Sequence, residues 1–345
     1  MIRFDVSKLK IEMESAFKEA GLNAQSRRHA IESLIQTSTR GVDSHGINLF
    51  PHYVNAVKKG RINKEPENKF KETSHTTLIM DADHAIGHYS GYLAMTEAVA
   101  RAKQYGMCSV AVKNSTHFGA AAYFGLTAAN HDCIGFAFTN ADALVKAANA
   151  VDSIFGTNPI CFTAPLKDEE PLCLDMATSL VSWNKVRNCV RTDTEVPLNW
   201  GYDKQGSPTN NPSKIISLAP IGGYKGYGLG MMIDILCAVL TNSPASKDIK
   251  PMFSTPLEDK RYIGHYFMAI DINKFLPVME FKQRLQDLVN SIRNMTPIDS
   301  NEPVMVPGDP EKKIKEQRLL EGIPVDDIVF NEFCRISCKF KDCIN

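Results

Sequence analysis

Three basic side chains stand where a loop meets an element of regular structure, the places where small molecules are most often handled. His45 lies between Ser44 and Gly46, just after a helical stretch. The small neighbour leaves room for a ligand and an imidazole titrates near neutral pH, which is the profile of a general acid or base. The same surroundings also suit a hydrogen-bonded histidine in a surface turn. His117 sits in Asn114-Ser115-Thr116-His117-Phe118-Gly119, between a strand and a helix start whose free amides favour an anion, or else it is incidental to a capping turn. Lys225 stands among Gly222, Gly223, Gly226 and Gly228 in front of an apolar helix. There its ammonium and several amides can face a phosphate or carboxylate together, unless the glycines merely let two backbones pack closely. His84 and His88 are four residues apart, as zinc ligands on one helix face are, but no third ligand is near, so no metal is assigned.

The elements that must position these groups are legible as periodicity. Leu9, Met13, Ala16, Phe17 and Ala20 recur at helical spacing up to Gly21, and Asn23 can cap a second helix with the stripe Ala30, Ile31, Leu34 and Ile35 that stops near Gly41. That helix delivers the chain into the His45 loop. A polar segment from Lys58 to Ser74 precedes a strand over Thr76 to Met80 and a helix from about Tyr92 to Tyr105. Cys108 to Val112 and Ile134 to Thr139 read as buried strands flanking a helix over Ala120 to Asn130, an alternation that argues for an α/β core. The stretch Asn188 to Ser213 reads as an exposed excursion, and Leu229 to Thr241 as the apolar helix that the glycine cluster opens. A strand over His265 to Ile272 and helices over Met279 to Met295 and Pro310 to Glu321 follow.

Bulk properties narrow the function. The 345 residues hold 39 basic and 39 acidic side chains with no long run of either sign, which argues against nucleic acid or an anionic membrane as partner. The apolar stretches are shorter than a bilayer span and the N-terminus lacks the pattern of a signal peptide, so the expected site of action is the cytosol. Nine scattered cysteines without a CxxC pair are expected to be reduced thiols, and the Cys334, Cys338, Cys343 cluster has no histidine to complete a zinc site. A G-x-G-x-x-G loop after a strand, a Walker loop and a G-x-S-x-G elbow are all missing, which argues against a Rossmann site and a serine hydrolase.

Several segments together resemble one family, the malate/L-lactate dehydrogenases that are distinct from the Rossmann enzymes of the same names. They are Arg40-Gly-Val-Asp-Ser-His-Gly-Ile47, Val112-Lys-Asn-Ser-Thr-His-Phe-Gly119, Phe155-Gly-Thr-Asn-Pro159, Leu174-Asp-Met-Ala-Thr-Ser179, Gly223-Tyr-Lys-Gly226 and Val306-Pro-Gly-Asp309. The resemblance implies an α/β (α+β) fold with a mainly antiparallel, non-Rossmann cofactor-binding region over residues 76–279, and a helical lobe from residues 1–75 and 280–345. It further implies a homodimer with the active site near the interface, and interconversion of a 2-oxo acid and a 2-hydroxy acid, malate/oxaloacetate first. Lactate, ureidoglycolate, diketogulonate, sulfolactate or a cyclic imine are the alternative substrates, and a non-catalytic nucleotide-binding dimer is the alternative of another class. By similarity His45 is the proton donor and acceptor, His117 lies beside the substrate with Ser44, Asn48 and Lys225, and Asn140, Asp175, Met176, Ala177, Thr178, Tyr224, Lys225, Gly308 and Asp309 match cofactor-contacting segments. NAD is the expected cofactor; NADP would need a basic pocket, which Lys185, Arg187 and Arg191 can supply. The chain departs from the family pattern at Asn48, where relatives carry an arginine that pairs with the substrate carboxylate. Either another cation substitutes, Lys225 or Arg40 being candidates, or the substrate differs.

Overall fold

The computed structural model describes residues 2–344. The chain begins with β1 (Ile2–Phe4), α1 (Val6–Glu19), α2 (Ala24–Thr39) and α3 (Phe50–Lys59). Asp5 and Asn23 cap α1 and α2 by accepting from Lys8 and Ser26 amides, and the expected stripes of both helices face inward. The hairpin β2 (Lys69–Ser74) and β3 (Thr77–Asp81) then leads to α4 (Gly87–Tyr105), β4 (Met107–Ser115), α5 (Ala122–Ala129) and β5 (Cys133–Thr139). Next come β6 (Val145–Lys146), β7 (Ser153–Phe155), β8 (Ile160–Ala164), β9 (Leu172–Met176), α6 (Trp183–Arg191), β10 (Gly201–Tyr202), β11 (Ser217–Leu218) and α7 (Tyr224–Cys237). The chain closes with β12 (Ile263–Asp271), α8 (Val278–Arg293), α9 (Asp309–Glu321), β13 (Ile323–Val325) and α10 (Asp327–Ile336).

A seven-stranded sheet in the order β2-β3-β4-β12-β5-β8-β9 is the centre of the molecule, antiparallel throughout except for the β3/β4 pair. The fold is therefore mixed α/β with mostly antiparallel pairing, as the resemblance implied. Alternation along the central strands supplies both faces. Phe267, Val110 and Ala137 pack under α4 and α5, whereas Tyr266, Phe136 and Phe138 turn to Ile233 and Cys237 of α7. A separate core joins the two chain ends: Phe4, Phe17 and Phe50 pack with Phe333 and Phe340, and β1 pairs with β13. No helix among the described residues is long and apolar enough to cross a membrane, and all nine cysteines are free.

Four expectations change. The polar segment before residue 75 contains β2, an edge strand exposed at every position, which has no apolar alternation to betray it. The excursion over 188–213 is not simply exposed. It joins a four-stranded sheet, β10-β11-β6-β7, whose small core is Val145, Val186, Val196, Ile215 and Leu218. Helix α4 starts at Gly87, before its apolar stripe begins. Helix α7 starts at Tyr224, so Gly226, Gly228 and Gly230 lie inside it rather than in front of it. The propensity cost of about 1 kcal/mol per glycine is offset at Gly226, where the backbone packs closely on Ile221.

Candidate active site

The His45 loop is held by three elements. Helix α2 ends at Arg40 and Gly41 takes φ +86°, turning the chain so that the His45 amide donates to the Val42 carbonyl at 3.1 Å. A Cβ on Gly46 would stand 2.0 Å from Ser38 Oγ. The small residue beside His45 thus makes room for helix α2, not for a ligand as the sequence suggested. The Ser38 hydroxyl in turn accepts the Ile47 amide at 2.8 Å. From the C-terminal side, Arg318 of α9 donates both guanidinium nitrogens to Asp43, at 2.5 and 2.9 Å, and from α6 the Asn184 amide donates to the Ser44 carbonyl at 3.0 Å.

His117 arrives from the opposite side, off the end of β4. Helix α4 begins against this segment so closely that a Cβ on Gly87 would lie 2.3 Å from the Thr116 carbonyl oxygen. The Gly119 amide donates to His117 Nδ1 at 3.3 Å, and Tyr53 Oη lies 2.6 Å from the same nitrogen. A nitrogen that accepts from an amide carries no proton, so the neutral ring of His117 has its proton on Nε2. Burial holds His117 well below the usual imidazole range, with the neighbouring His45 adding to the effect. His45 is lowered too, by burial alone, and its Nδ1 lies 2.9 Å from Ser44 Oγ. The two rings stack at 5.7 Å between centroids, tilted by only 19°, and both line one cavity of about 1140 Å³. Each Nδ1 is engaged by protein, which leaves the Nε2 edges for a bound molecule.

The cavity runs on past Ala120, Ala121, Met176 and Ala177 to Asp175 and Gly308. The helix start behind His117 does carry an anion, but it is the protein's own: the Ala122 amide at the head of α5 donates to Asp175 Oδ2 at 2.8 Å. Asp175 is exposed on its cavity side, and the protein crowded around it pushes its carboxyl up to about 6 against the lowering effect of the Ala122 amide. Arg40 pairs through Nη1 with Glu170 at 2.7 Å, while its Nη2 is buried without a hydrogen-bond partner. The wall of small residues and the Asp175 carboxylate fit a nicotinamide dinucleotide, whose flat ring and ribose hydroxyls match those groups.

The structure therefore brings Ser44, His45, His117, Asn140, Asp175, Met176, Ala177 and Gly308 to one cavity, though the Asn140 side chain is spent on the Pro244 carbonyl and the Gly264 amide. Others lie elsewhere. Thr178 gives its hydroxyl to the Thr157 and Asn158 carbonyls, and Asp309 is held by Arg293. Asn48 is set back in a 3-10 turn with its Oδ1 buried and unpartnered, and Tyr224 and Lys225 are exposed on α7 outside the cavity. The shared helix face of His84 and His88 does not form, because His84 sits in a left-handed turn before α4 while His88 is buried inside it. Tyr53 and Asn184, which contact His117 and the Ser44 carbonyl, were not singled out by the sequence, since α3 and α6 that carry them were not read there as helices.

Residues 4–334 match the family model described as malate/L-lactate dehydrogenase. The chain belongs to that family. Members are 2-hydroxy-acid dehydrogenases, so the cavity belongs to an oxidoreductase. Malate dehydrogenase from Pyrococcus abyssi is 35% identical over 316 residues, covering 89% of this chain and 86% of its own. Ureidoglycolate dehydrogenase (NAD(+)) from Escherichia coli O157:H7 is 32% identical over 318 residues, with 92% and 91% covered. Among solved structures, malate dehydrogenase from Entamoeba histolytica superposes with a TM-score of 0.92 at 29% identity, covering 98% of each chain. The dehydrogenase fold thus extends over nearly the whole chain.

Proposed function

We propose that this dehydrogenase interconverts a small 2-oxo acid and its 2-hydroxy acid with a nicotinamide cofactor, oxaloacetate and malate being the first pair, and that His45 exchanges the proton. The observation that carries the reading is the stacked pair His45 and His117, both lining the cavity, with each Nδ1 tied to protein and neither Nε2 hydrogen-bonded by a described residue. When bound, the nicotinamide supplies the two-electron chemistry. The Nε2–H of neutral His117 donates to the substrate oxygen and polarises the carbonyl. His45, whose proton can be exchanged, gives Nε2–H to that oxygen in reduction and takes it back in oxidation. Ser44 holds its ring in place.

Malate heads the panel because two of the relatives above carry that name. NAD is preferred because the Asp175 carboxylate can accept from a ribose 2′-hydroxyl but repels a 2′-phosphate. Of the basic trio beyond β9, Lys185 lies over the Trp200 ring and Arg191 pairs with Asp326, so neither is spare. Cytosolic action agrees with nine free thiols. The reading includes a helical lobe from both chain ends (1–75 and 280–345) around a cofactor and dimerisation region (76–279). A homodimer is part of it: α7 exposes Tyr224, Met231, Met232 and Ile235, followed by Val239 and Leu240, an apolar face that a second copy can cover. Tyr224 and Lys225 stand on that face, so a role for them in catalysis would be in the partner's cavity.

The test is loss of NADH and, separately, NADPH absorbance with oxaloacetate, pyruvate and larger 2-oxo acids, together with NAD reduction by malate and ureidoglycolate. Oxidation of NADH by oxaloacetate is the expected result. Cofactor binding without turnover on any of these substrates would overturn the reading in favour of a nucleotide-binding dimer.

A further inference from the structure

The proposed substrate carries a carboxylate next to its reacting carbonyl, and a charge leaving water needs a cation with matching hydrogen bonds. The residue expected to supply it, at position 48, is an asparagine set back from the cavity, and within one subunit Lys225 lies outside it. Two arginines line the cavity, Arg40 and Arg187. Arg40 is spent on Glu170 and its charge acts on Asp175. Arg261, behind the histidines, is buried against Asp142.

We infer that Arg187 is the residue that binds the carboxylate of the 2-oxo acid, an assignment that rests on the dehydrogenase reading above. Among the described residues no carboxylate lies within ion-pairing distance of Arg187. Its guanidinium carbon lies 4.8 Å over the Phe253 ring, a cation–π contact that uses none of its N–H donors and so leaves them for a two-pronged contact. Position within α6 supplies the register. Asn184 of that helix holds the Ser44 carbonyl at 3.0 Å, and a residue three positions on shares the same helix face about one turn away. The unpaired cation and the loop that presents His45 line the same cavity. Arg187 is the counterpart, on another element, of the charge missing from position 48.

The experiment uses the whole protein with NADH bound and measures oxamate, an unreducible mimic of a 2-oxo acid, by its effect on NADH fluorescence. Arg187→Gln should weaken oxamate binding roughly 10- to 100-fold, the range for a charge-assisted contact, while Kd for NADH and NADPH stays within about twofold. Arg187→Lys should recover part of the loss, and KM for every 2-oxo acid turned over should rise in parallel. Oxamate bound equally well by wild type and Arg187→Gln would overturn the assignment, as would a loss confined to NADPH, which would place the side chain on a 2′-phosphate. If wild type itself fails to bind oxamate, it is the small 2-oxo-acid reading of the substrate that fails. Arg187 is exposed, so its replacement leaves the fold intact.

Discussion

The two imidazoles have different duties because their partners differ. His117 is kept neutral by burial and by the Gly119 amide that points at Nδ1, which suits a fixed donor rather than a titrating acid. His45 has no amide on its ring, only the Ser44 hydroxyl, which can donate or accept and so tolerates both protonation states. Burial lowers His45 from the ordinary imidazole value, so the free enzyme holds it neutral at pH 7, ready as a base. For hydroxy-acid oxidation, kcat/KM is therefore expected to be flat near neutrality and to fall only below about pH 6.5, as His45 gains its proton. An acid limb above pH 7 would contradict the assignment. Tyr53→Phe removes one of the two groups that fix the His117 ring. It is expected to lower kcat about tenfold with little change in KM, which steady-state kinetics would show. Both histidines were legible as loop residues, but Tyr53 was not: on α3 it looks like any core tyrosine, and only the fold carries its hydroxyl to residue 117.

At the scale of elements, the His45 loop depends on helices distant in sequence. Arg318 links α9 to Asp43 and to the Ser38 carbonyl at 2.6 Å, so the C-terminal part of the chain holds a loop near its start. Removing one partner leaves Asp43 and a backbone carbonyl unpaired. Arg318→Ala is expected to cost about 1–3 kcal/mol in urea unfolding and to lower kcat more than cofactor affinity. Unchanged stability and turnover would show that the clamp is idle. Helices α1 and α2, with their stripes and caps, were readable, whereas the helices α3, α6 and α10, the strand β2 and the strands β10 and β11 were not. An edge strand exposed throughout and two-residue strands leave no period in the sequence. The glycines of α7 misled for a related reason. Glycine marks a break by propensity, yet Gly226 is needed because its Cβ would collide with the Ile221 carbonyl oxygen at 2.2 Å.

For the whole molecule, one property follows from burial and another from exposure. His52 is lowered to about 4 and His88 and His265 to about 3, chiefly by loss of solvent. Their unfolded value is about 6.5, so the unfolded chain binds more protons below that pH. The stability they contribute is complete above about 6.5 and is lost as pH falls toward 3. The urea midpoint should drop steadily from pH 6.5 to 4, and a midpoint independent of pH there would show the rings to be accessible. The exposed face of α7 makes the second prediction. Ile235→Glu should convert a dimer to a monomer in sedimentation, and a wild-type monomer would dismiss the dimer altogether. The family and the fold class were readable from six ordered motifs, but the path of the cavity was not, because Arg187, Asn184 and Phe253 reach it from segments no motif covers.

The chemistry of the site turns on His45. The measurement is kcat/KM of His45→Asn against wild type for NADH-dependent reduction of oxaloacetate, on protein shown to be folded and to bind NADH as wild type does. A loss of about 10²-fold or more is expected for a missing general acid. Turnover at the wild-type rate would mean that the proton comes from elsewhere and that the paired imidazoles are not the reacting centre.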